Sequence, residues 1–123
     1  MIELRRALHP HLRSIHPSAY FQRAPDTAQF PYLVYRMEIR DDGETFHLIT
    51  LDIDGWDRPE TGDTTELENL MTAVNAGMNK VTLTTDSLVV SFYLENKLAL
   101  LDDDPKIHRR RYTYQGRMFE RGV

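Results

Sequence analysis

The sequence predicts an α+β fold: a mostly antiparallel sheet of four or five strands flanked by two helices. Three observations predict it. Two stretches carry apolar residues at helical spacing, several others alternate apolar and polar residues with period two, and turn residues link the alternating stretches. Short links favour antiparallel pairing, and amphipathic helices cover one or both faces of such a sheet.

The first helical stripe is N-terminal, with Leu4, Leu8, Leu12 and Ile15 on one side and Glu3, Arg5, Arg6 and Arg13 left to solvent. Pro10 falls inside it, so the helix is expected to end near His9 or to kink there, and His16-Pro17 is a second stop signal. Residues 22–31, with Pro25, Asp26 and Pro31, read as an irregular connection or a broken edge strand. From Tyr32 the period becomes two. Leu33, Tyr35, Met37 and Ile39 alternate with Val34, Arg36, Glu38 and Arg40. Asp41-Asp42-Gly43 supplies hairpin turn chemistry, and a returning strand over 45–53 puts Ile49, Leu51 and Ile53 on one side.

A loop over 55–62 leads to a helix over 65–78. Thr65 and Glu68 have the spacing of a capping box, and Leu67, Leu70, Met71, Val74 and Met78 form one apolar face. Leu88, Val90, Phe92 and Leu94 make a third strand, residues 97–101 a short fourth, and 107–119 the last. That last strand sets Arg109, Arg111, Thr113, Gln115 and Arg117 on one side and His108, Arg110, Tyr112, Tyr114 and Met118 on the other.

At 123 residues, with no repeat and no low-complexity segment, the expected organisation is a single domain over 1–123. Hydrophobic residues are 41% and charged residues 28%, ordinary for a globular chain. With no cysteine, a disulfide framework, a thiolate zinc site and a cysteine nucleophile are all excluded. The opening MIELRRALHPHLR lacks the apolar core of a signal peptide, and no run approaches the roughly 18 apolar residues of a membrane span. The expectation is a soluble, unsecreted chain with no membrane partner. A net charge of −4 argues against tight nucleic-acid binding, which is driven by clustered Lys and Arg.

Two acidic clusters invite a metal reading. LDIDGWD carries Asp52, Asp54 and Asp57 around a glycine, but its spacing fails the EF-hand pattern. Asp52 and Asp54 share one side of the strand end and can approach a cation together, or they are simply exposed charges ending a strand. Asp102, Asp103 and Asp104 stand before Pro105. Three consecutive residues converge on one ion only in a special loop, so a solvated turn, or pairing with nearby arginines, is favoured. His9, His11 and His16 have no carboxylate at metal-ligand spacing. No nucleophile elbow surrounds Ser14, Ser18, Ser87 or Ser91, and there is no Gly-rich phosphate loop. Trp56, the sole tryptophan, is expected in a loop among charges, as a core plug or an interface anchor.

The arginine face of the last strand needs acid opposite it. Arg109, Arg111 and Arg117 find it in Asp102, Asp103, Asp104, Asp52, Asp54 and Asp57, either within one subunit or across a boundary between copies. These residues and Trp56 are the subunit-interface candidates.

The order FPYLVYRMEIRDD, HLITLDIDGWDRP, DTTELENLMTAVNAGMN and SLVVSFYLENKLALLDDDPKIHRRRYTYQGRMFE, over 30–120, resembles the tail-completion (tail-terminator, head–tail joining) proteins of long-tailed bacteriophages and prophages. DIDGWDR and LLDDDPKIHRRRYTY carry most of the likeness. The resemblance implies a homo-oligomeric ring, usually a hexamer, between the tail tube protein and the head connector protein, with DNA passing through an acidic channel without specific binding. It implies a virion location after assembly in the host cytoplasm, no catalysis and no cofactor. Two other classes stay open: a metal-dependent hydrolase or nuclease using Asp52, Asp54, Asp102 and His108, and a nucleic-acid-binding module using Arg109, Arg110 and Arg111 with Tyr112 and Tyr114 as stacking rings.

Overall fold

A computed structural model describes residues 1–41 and 46–121. Its elements run α1 (Ile2–Ile15), β1 (Ala19–Phe21), β2 (Tyr32–Asp41), β3 (His47–Asp57), α2 (Thr65–Met78), β4 (Val81–Thr84), β5 (Leu88–Leu100) and β6 (His108–Glu120). The strands form one sheet in the order β1-β2-β3-β6-β5-β4. The class is α+β as expected, but the sheet is six-stranded and mixed. β1 pairs with β2 in parallel, and the other pairings are antiparallel.

Both helices lie on the same face of the sheet. Leu4, Leu8 and Leu12 of α1 and Leu67, Met71, Val74 and Met78 of α2 are buried against Leu33, Tyr35, Ile49, Leu51, Ile53, Val90, Phe92 and Tyr114. Full burial of each such side chain is worth about 1.5–3 kcal/mol, which holds the helices to this face and no other. Gly55 brings α2 close: a Cβ there would stand 2.6 Å from Met71 Sδ and 3.0 Å from Leu67 Cδ1.

α1 does not stop at His9. It continues through Pro10, because Leu8 and Leu12 on either side of the proline are both fully buried. Interior proline usually costs a helix about 3 kcal/mol, and core burial on both flanks offsets that. The three histidines tie α1 down separately. His9 Nδ1 meets the Tyr35 hydroxyl at 2.6 Å, His11 Nε2–H donates to the Gly77 carbonyl at 2.6 Å, and His16 Nε2–H donates to the Pro31 carbonyl at 2.9 Å. The His11 bond satisfies a carbonyl in the last turn of α2, which has no basic side chain of its own there.

The capping box is not formed. Asp63 takes its place, its carboxylate accepting from both the backbone N–H and the hydroxyl of Thr65 at 2.9 and 2.6 Å. Those bonds hold the Asp63 carboxyl below the usual carboxylate range. Glu68 turns instead to Arg110.

The strands expected over 88–94 and 97–101 are one strand, β5, broken in phase by a bulge at Glu95 between Leu94 and Asn96. A bulge inserts one unpaired residue and flips the faces beyond it. Leu94 therefore still packs on the core, while Leu98 points to the other side and is 47% exposed. The hairpin of β2 and β3 pairs as expected, from Tyr32 opposite Trp56 to Asp41 opposite His47. Of the turn expected at Asp41-Asp42-Gly43, Asp41 is the last residue of β2 and the rest lies outside the described residues.

Candidate functional site

With both helices on one face, the described structure leaves the opposite face of the sheet uncovered. Period two decides what stands there. β3 presents Leu48, Thr50, Asp52, Asp54 and Trp56, and β6 presents Arg109, Arg111, Thr113, Gln115, Arg117 and Phe119. Arg36 of β2 and Leu98 of β5 flank them.

Asp54 is the electrostatic centre of this face. It sits directly opposite Arg111 in the β3–β6 register. Arg111 Nε and Nη2 donate to its two oxygens at 2.8 and 2.9 Å, a bidentate fork. Arg109 Nη2 donates to Asp54 Oδ2 at 3.2 Å, and Arg36 Nη2 stands 3.8 Å from the same atom. The Asp54 side chain is only 6% exposed, so one nearly buried carboxylate answers three guanidiniums. The hydrogen bond to Asp54 raises the Arg111 pKa. Arg109 is also pressed on Trp56, its Cζ 3.9 Å from the ring centroid, and Tyr32 stacks on the same indole at 6.0 Å and 15°. Trp56 is thus no loop residue but the penultimate residue of β3, clamped in a cation–π and aromatic stack.

The other candidates disperse. Asp52 accepts from the Thr113 hydroxyl at 2.6 Å. Asp57 points to the helix side, 4% exposed, with Oδ1 accepting from the Arg58 backbone N–H at 2.8 Å. Asp102, Asp103 and Asp104 form the β5–β6 loop, where Asp102 Oδ2 accepts from Asp104 N–H at 3.1 Å and Asp104 Oδ1 from Lys106 N–H at 2.9 Å. Asp104 Oδ2 also lies 3.6 Å from Arg58 Nε. The loop is therefore a self-bonded Asp turn. Among the described residues, no three His, Asp or Glu side chains come together in a way that would hold a metal. Arg117 lies apart from Asp54, exposed, with its guanidinium 5.9 Å from the Phe46 ring centroid and no carboxylate partner among the described residues.

The geometry also removes the stacking rings of a nucleic-acid module. Tyr114 is fully buried on the helix side and donates its hydroxyl to Asn75 Oδ1 at 3.0 Å, and Tyr112 packs on the core beneath Lys97. Burial raises the Tyr114 pKa. Sequence reasoning missed two ion pairs, Arg36 with Asp54 on the open face and Arg110 with Glu68 of α2 at 2.9 Å on the helix side. The alternation of β2 already put Arg36 on the polar side; the contact of Arg110 with α2 had no local signal.

The family model described as "Tail completion protein gp17" matches residues 3–118, nearly the whole chain. The chain belongs to the tail completion protein family. Its part is structural, in the assembly of a phage tail. A solved structure with the same fold is a chain of the "Virion of native gene transfer agent (GTA) particle", with a TM-score of 0.74 at 12% identity over 94% of each chain. No curated protein sequence matches.

Proposed function

We propose that this tail completion protein acts as the subunit of a closed homo-oligomeric ring, a hexamer in the virion. The ring completes the tail tube and joins it to the head connector. The observation that carries the reading is the uncovered sheet face. One side of the sheet packs against the two helices, while the other bears Leu48, Tyr93, Leu98 and Phe119 at 38%, 51%, 47% and 45% exposure around a preorganised Asp54 network. Large exposed apolar side chains grouped on one face mark a protein contact. The reading is non-enzymatic. Its partners are further copies of the chain, the tail tube protein and the head connector protein. The net charge of −4 suits a lumen that lets DNA pass without holding it. The protein then resides at the head–tail interface of the virion, after assembly in the host cytoplasm.

A deletion of the gene in its phage or prophage tests this directly. The expected result is free filled heads and free tails that do not join, with joining restored when the purified protein is added to the lysate. Normal particles from the deletion would overturn the reading.

A further inference from the structure

One apolar side chain stands almost wholly in water: Leu101, 98% exposed, at the start of the β5–β6 loop. Two residues on, Asp103 is exposed, and its carboxylate has no partner among the described residues, unlike those of Asp102 and Asp104. The loop tip is thus a hydrophobe followed by a free anion. Burying a leucine of this kind is worth about 1.5–3 kcal/mol, so its exposure in one subunit calls for a cover.

The complement lies at the far end of the same sheet. A groove of about 660 Å³ on the uncovered face is lined by Leu48, Tyr93, Phe119 and Arg117. Three apolar walls stand beside a cation that has no carboxylate partner among the described residues. Along β6, Arg117 is eight residues from Arg109, which adjoins the loop end. At about 3.3 Å per residue that is about 26 Å of strand. The loop of one copy therefore does not reach its own groove.

Resting on the ring reading above, we infer that the subunit contact is head-to-tail, with Leu101 of one copy seated in the Leu48–Tyr93–Phe119 groove of the next and Asp103 paired with Arg117. The two patches differ and lie at opposite ends of the subunit, so the contact is heterologous and repeats around a ring when its rotation closes. A phosphate would satisfy Arg117 but would leave Leu101 in water, which favours a second copy over nucleic acid as the occupant. The Asp54 network braces the strands between the two patches.

The chain has no cysteine, so single thiols report cleanly. Leu101→Cys and Leu48→Cys are made separately, mixed as full-length proteins at high concentration and oxidised, while native mass spectrometry of the untreated protein reads the assembled species. The expected result is a mixed disulfide in large excess over either self-linked product, since a disulfide forms only where Cα atoms come within about 7 Å. In the cysteine-free chain, Arg117→Asp or Asp103→Arg each weakens association on the order of tenfold, and the two reversals combined recover it. A closed oligomer that gives no mixed disulfide and ignores both reversals overturns this contact and leaves the ring standing. No oligomer and no disulfide at any concentration overturns both.

Discussion

Arg111 and Asp54 face one another across β3 and β6 in a bidentate pair at 2.8 and 2.9 Å, and Arg109 and Arg36 converge on the same carboxylate. Within one subunit, then, Arg109 and Arg111 already have their acid, and Arg117 has none among the described residues. The cluster is nearly dry at its centre, and an uncompensated buried charge is far more costly than a missing surface pair.

Asp54→Asn should therefore lower stability by about 3 kcal/mol, because three guanidiniums lose their counter-charge together. Urea unfolding checks this, and a cycle with Arg111→Met should show a coupling of about 1 kcal/mol or more. Arg111→Glu should damage the monomer itself, so it is a poor probe of assembly, whereas Arg117→Asp should leave the fold intact. Equal unfolding midpoints for wild type and Asp54→Asn would contradict the buried-centre reading.

Trp56, as the only tryptophan, reports on the clamp between Arg109 and Tyr32. Arg109→Ala uncovers one ring face and should raise acrylamide quenching of its fluorescence, with a smaller fall in melting temperature. Unchanged quenching would mean that the guanidinium does not cover the indole in solution.

His9 gives the fold a pH dependence of known sign. Burial, and then the nearby Arg13 and Arg5, lower its pKa from the ordinary 6.5, so the fold prefers the neutral ring. We assign its Nδ1 as acceptor from the Tyr35 hydroxyl, whose own pKa burial pushes up to about 12. As pH falls through the ordinary histidine range, the unfolded chain takes the proton first. The contribution of His9 is thus full above that range and declines below it, until the folded histidine also titrates. Stability measured from neutral to mildly acidic pH should fall more for wild type than for His9→Gln. Parallel curves would remove the assignment.

The sequence was most legible where burial follows a simple period. The alternation in β2, β3 and β6 sorted each strand into two sides, with Arg109, Arg111 and Arg117 together on one side of β6; that Asp54 stands opposite Arg111 came only from the pairing. Three features lay beyond it. β1 and β4 are three and four residues long, too short for a period to register. The bulge at Glu95 reversed the phase of one strand, which read as two. Pro10 sits where local propensity says stop, and only the tertiary burial of Leu8 and Leu12 overrides it. At the site, the residue types were legible but their allocation was not. Arg109 and Arg111 go to Asp54, and Arg117 is left over, because register across the sheet is a long-range property.

Native mass spectrometry over a concentration series, with and without Mg²⁺, reads the ring itself. The expected result is one closed stoichiometry, six, that grows in with concentration and does not depend on the metal. A strict monomer throughout the series, or one that takes up one or two metal ions, would contradict it.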